Sequence, residues 1–87
     1  MTNKAQDRRF RLIRRIRLWN GIQYGEWHRF GTRREMEMEL AREIARCLRA
    51  IAVDGRYHYA IIDTDGQMVE DETGAPVKDL PAVALAS

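Results

Sequence analysis

The residues best suited to chemistry in this chain are arginines interleaved with aromatic rings. Arg8 to Arg17 packs six arginines and four apolar residues into ten positions. Trp19, Tyr24, Trp27 and His28 follow within eleven residues. Guanidinium groups form paired hydrogen bonds to phosphate or carboxylate, and Trp and Tyr offer stacking surface. Arg9, Arg11, Arg15, Arg17, Trp19, Tyr24 and His28 are therefore the expected binding set. A second, weaker candidate is the acidic turn region with Asp63, Asp65 and Glu70, whose carboxylates suit an arginine-rich groove on another protein.

Other chemistries find less support. Cys47 lies mid-helix on an apolar stripe, where cysteine packs as a small hydrophobe, and His28 and His58 fall on separate strands without ligand spacing. Asp63-Thr64-Asp65-Gly66 with Glu70 is too short for a calcium loop and lacks its third ligand position. Glu35, Glu37 and Glu39 crowd a helix start, where the backbone dipole favours negative charge. No paired acid and base and no activated nucleophile is visible, so a binding protein without catalysis, cofactor or metal is expected.

Charge is strongly polarised along the chain. Residues 1–34 hold ten basic side chains against two acids, a net of +8. Residues 35–87 hold five against eleven, a net of −6, so the formal total is +2. Arginine outnumbers lysine thirteen to two. A single cysteine precludes an internal disulfide and fits a reducing compartment. With no leader-like apolar segment near Met1 and no long apolar run, the expectation is a cytoplasmic protein without membrane contact.

Which elements hold these residues follows from periodicity. Around the arginines, period two places Phe10, Leu12, Ile16 and Leu18 on one face and Arg9, Arg11, Arg15 and Arg17 on the other. Ile13 and Arg14 break the alternation, which predicts a bulge there. Asn20-Gly21 is a strong hairpin turn signal. It pairs Arg17 with Tyr24, Arg15 with Glu26 and Arg14 with Trp27, and gives a second strand over about 22–30. Thr32-Arg33-Arg34-Glu35 is a capping box that predicts a helix from Arg33. Its apolar stripe is Met36, Leu40, Ile44, Cys47, Leu48 and Ile51, and Asp54-Gly55 ends it. Tyr57–Ile62 reads as a strand, Asp65-Gly66 as a turn, and 67–71 as a short return strand.

These elements predict an α+β domain of order ββαββ. Its four-stranded antiparallel sheet would run in the order 2-1-3-4, with one helix on one face. The helix is expected to cover Leu12, Ile16, Leu18, Trp27, Ala60, Ile62 and Val69. The other face would stay open, carrying the arginines and possible additions in Tyr57 and Tyr59. Residues 1–7 are expected to be flexible, 8–72 to form the domain, and 73–87 to trail as a loosely ordered tail. In size and charge the chain resembles the small host-takeover proteins of phages and mobile elements, anti-CRISPR and anti-restriction proteins among them. That resemblance is of kind and rests on no motif. It implies a non-enzymatic protein that docks by a charged face on a nucleic-acid-handling protein complex and blocks it. The alternative is a module that binds single-stranded DNA or RNA directly on the arginine and aromatic face. A homodimer is a further expectation, through edge strands or the open face.

Overall fold

The structure, a computed structural model, describes residues 9–18, 20–31, 35–52 and 54–86. Its elements are β1 (Phe10–Ile16), β2 (His28–Arg29), α1 (Met38–Ile51), β3 (Tyr57–Asp63) and β4 (Met68–Glu70). They form an antiparallel sheet of order β2-β1-β3-β4 with α1 packed on one face, the ββαββ arrangement expected.

β1 and β3 form the central ladder, in register from Phe10 opposite Asp63 to Ile16 opposite Tyr57 without interruption. The bulge expected at Ile13 and Arg14 is absent. Strict alternation instead sends Ile13 to the face away from the helix and Arg14 to the helix face. The irregularity lies across from β1: Arg17 bridges Tyr24, while Arg14 pairs with His28. One extra residue in the returning segment shifts the register, so neither Arg15–Glu26 nor Arg14–Trp27 forms as a pair. Only two residues of the long second strand expected are laddered.

α1 begins at Met38, five residues later than the capping box predicts, and Thr32, Arg33 and Arg34 lie outside the described residues. Extended pairing captures the preceding segment. The amides and carbonyls of Phe10 and Met36 exchange both hydrogen bonds, at 2.8 and 2.9 Å. Arg11 takes the Glu35 carboxylate at 2.8 Å, which removes the capping acid from the helix. Glu37 becomes the N-cap without a side-chain hydrogen bond. The helix meets the sheet through fully buried Ala41 and Ala45, whose small side chains allow close approach to Phe10, Leu12 and Ile61. Ile44 and Leu48 flank this contact, whereas Leu40, Cys47 and Ile51 of the predicted stripe are exposed.

The second face has a core of its own. Ile13, Ala60 and Ile62 are buried there, with Trp27, Met68, Val83 and Leu85 packed against them. Of the set expected beneath the helix, Leu12 and Val69 are found there. Trp27, Ala60 and Ile62 lie on the opposite side, and Ile16 and Leu18 are exposed. Tyr59 packs edge-on to Phe30 on the helix side, so Tyr59 does not join the open face.

The cover for this second core comes from the segment read in sequence as a loose tail. Val77 N–H donates to the Val69 carbonyl and Asp71 N–H to that of Ala75, so 75–77 lines the edge of β4. Met68 N–H then donates to the Pro81 carbonyl and Val83 N–H to that of Gly66. Ala86 N–H reaches the Trp27 carbonyl at 2.9 Å, and Leu85 bridges Trp27 in parallel. The chain thus crosses from the β4 edge to the β2 edge as a strap. Burying Ile13 and its neighbours on both sides of the sheet is worth about 1.5–3 kcal/mol per large side chain.

Candidate binding face

β1 and the residues just before and after it carry the predicted arginines, and alternation sets Arg11, Arg15 and Arg17 on the strap side of the sheet. Most of them are engaged by the protein itself. Arg9 lies 3.9 Å from Glu37, and Arg11 donates to Glu35. Both contacts follow from the Phe10–Met36 pairing, which brings the acidic helix approach alongside the basic strand. Arg17 is exposed, with Nη2 donating to the Asp54 carbonyl at 3.2 Å.

Arg15 has the most partners of the four. Its guanidinium carbon sits 4.8 Å from the Tyr24 ring centroid and 4.6 Å from that of Trp27. Nε donates to His58 Nδ1 at 3.0 Å, and Nη2 lies 3.6 Å from Glu72. His58 in turn stacks on Tyr24, with centroids 4.0 Å apart. The imidazole must be neutral to accept that hydrogen bond, with its proton on Nε2. Partial burial first, then the charge of Arg15, pull the His58 pKa below the ordinary histidine value; Glu72 opposes this and Arg17 adds to it.

The other predicted residues are scattered. His28 is exposed on the two-residue β2, apart from the Arg15 cluster, and Trp19 lies outside the described residues. The acidic region is likewise occupied in shaping the chain. Asp63 is buried, and its Oδ1 accepts from the amides of Asp65 and Gln67, building the turn. Glu70 is only 4% exposed and accepts from Arg42 Nε at 2.9 Å and Arg49 Nη1 at 3.3 Å. Arg49 also donates to the carbonyls of Tyr59 and Asp71, tying α1 to β3 and the end of β4. Of the three acids named from sequence, only Asp65 is exposed.

Glu72, His58 and Arg14 stand outside the expected binding set. Arg14 lies on the helix face with its guanidinium carbon 4.7 Å from the Phe30 centroid and 4.5 Å from that of Tyr57. Its place in the β1 alternation was the available signal. Of the exposed arginines, Arg9, Arg42, Arg46 and Arg56 each lie within 4 Å of a carboxylate, whereas Arg17 and Arg29 have no carboxylate partner among the described residues. Arg29 shares a shallow depression of about 150 Å³ with Arg11, Asp63 and Leu85. Among the described residues no group of three or more His, Cys, Asp or Glu is placed to hold a metal ion. No described helix is long and apolar enough to cross a membrane. No family of known proteins, no curated sequence and no solved structure matches this chain.

Proposed function

We propose that this chain is a non-enzymatic, cytoplasmic binding protein that docks on a nucleic-acid-handling protein complex and blocks it. The observation that carries this reading is the confinement of Arg15 between Tyr24 and Trp27, with His58 and Glu72 at its edges. Those rings are engaged within the chain, which argues against stacked nucleotide bases on this face. What the face offers instead is a fixed pattern of charges whose side chains lose little freedom on docking, which suits a protein partner. Arg17, Arg29 and Arg56 supply its exposed positive rim, and Asp65 a negative point.

Charge reversal at Arg15 or Glu70 would disturb internal pairs, so the rim is the place to test docking. Tagged protein should capture a nucleic-acid-handling complex from bacterial lysate, with capture unaffected by nuclease. The double variant Arg29→Glu, Arg56→Glu should reduce it at least about tenfold while keeping its circular dichroism. Fluorescence anisotropy of a single-stranded oligonucleotide should stay flat at low salt. Binding that appears there and falls steeply with salt would transfer the function to direct nucleic-acid recognition.

A further inference from the structure

Arg17 and Arg56 stand directly opposite each other where β1 and β3 run out. The Arg17 N–H donates to the Arg56 carbonyl at 2.8 Å, which carries the register one pair past Ile16 and Tyr57. Opposed residues of an antiparallel pair send their side chains to the same face, with Cα atoms about 5 Å apart. Two guanidiniums are thus held at one spot, and like charges directly opposite weaken a sheet. The described residues do little to offset them. Arg17 has no carboxylate partner among them, and Asp54 approaches the Arg56 guanidinium only to 3.9 Å. The Asp54 Oδ1 already accepts from the Arg56 amide at 3.0 Å.

A depression of about 200 Å³ lies at this pair, lined by Arg17, Leu18, Gly21 and Arg56 and by no acid. The Arg17 guanidinium is oriented there by the backbone. Its Nη2 donates to the Asp54 carbonyl at 3.2 Å, and its Nη1 lies 3.8 Å from where a Cβ on Gly55 would stand. The cavity beside α1 is larger, about 620 Å³, but its Arg42, Arg46 and Arg49 are matched by Glu39, Glu43 and Glu70. Around Arg17 the positive charge is in excess, and its field reaches two positions along the same face. Beyond the larger effect of burial, Arg15 and Arg17 both lower the His58 pKa, against Glu72. Charges set against a local rule without an internal counterpart mark a place kept for function.

We propose that Arg17 and Arg56 form an oxyanion site for a phosphoryl group carrying two negative charges. Two guanidinium forks match such a group in charge and offer the paired N–H donors that phosphate oxygens accept from. A carboxylate, with one charge, satisfies one fork alone. The site lies within the positive rim but does not depend on the docking function.

Titration of inorganic phosphate into isotope-labelled protein, followed by nuclear magnetic resonance at constant ionic strength and about pH 7.5, tests this. Resonances of Arg17, Gly21 and Arg56 should shift and saturate, with a dissociation constant on the order of 1 mM. Arg17→Gln and Arg56→Gln should each weaken binding at least about tenfold. Both positions are exposed, and spectra unchanged elsewhere verify that each variant is folded. Acetate should bind at least about tenfold more weakly than phosphate. A nucleoside 5′-monophosphate that binds more tightly than phosphate would identify the terminal phosphate of a larger ligand. Equal or weaker binding would leave the inorganic ion as the ligand, and either result supports the site. The proposal is overturned by shifts that stay linear to about 50 mM or spread over all the arginines, the mark of an adventitious ion only. Folded variants that titrate like the wild type, or acetate that matches phosphate, would overturn it as well.

Discussion

Arg15 shows how one arginine can be consumed by its own fold. Two aromatic rings from the returning segment, an imidazole from β3 and a carboxylate beyond β4 meet it, so three stretches of chain converge there. The Arg15–His58 hydrogen bond exists only while the imidazole is neutral. Because folding lowers the His58 pKa, the unfolded chain binds the proton more readily. The associated stability is complete above the unfolded value near 6.5 and declines as the pH falls below it toward the depressed folded value. Thermal midpoints should therefore fall between about pH 7 and pH 5, and His58→Phe should flatten that decline. A variant as pH-sensitive as the wild type would place the titrating group elsewhere. Asp71 stabilises the fold at neutral pH and adds a pH dependence only in the acid range below its ordinary value near 3.8. The Thr73 hydroxyl is the main cause of its depressed pKa, and the stability it adds is lost as the carboxylate protonates.

At the scale of elements, β1 and β3 were legible in the sequence because both are rich in β-formers and bounded by turn residues. Ala60-Ile61-Ile62 and Leu12-Ile13 also carried a message the alternation argument passed over. Adjacent apolar residues in a strand indicate burial on both faces, and both faces are buried. The capping box misplaced the helix start because a local motif of about 1 kcal/mol competes with main-chain pairing to an existing strand. The strap was illegible, since small residues and prolines carry no periodicity. Val83 lies on the Ile13, Ala60 and Ile62 core, and placing a charge there leaves it unpaired against apolar atoms. Val83→Asp should cost about 2–4 kcal/mol in chemical denaturation, and Lys78→Ala, an exposed change on the same strap, less than about 0.5 kcal/mol. Equal, small effects would mean that the strap contributes nothing to stability.

Considered as a whole, the molecule brings its basic and acidic halves together. Arg9 and Arg11 meet the helix approach through Glu37 and Glu35, and Arg15 meets Glu72. Exposed pairs of this kind contribute about 0–1 kcal/mol each, but they share one sign of effect. Raising sodium chloride from about 0.1 to 1 M shortens the screening length from about 10 to 3 Å. The thermal midpoint should fall by a few degrees over that range. A rise would show that repulsion among the arginines outweighs their attraction to the acids.

The amino-acid sequence by itself determined the element types, their order and the separation of charge, because periodicity, turn residues and composition act locally. It also determined the antiparallel order 2-1-3-4, since a short hairpin and one crossing helix leave few ways to pair four strands. Only the tertiary structure decided where the charges end. Whether a guanidinium faces water or a ring depends on register and on a strap more than fifty residues away. Those are long-range pairings, and no spacing within β1 encodes them.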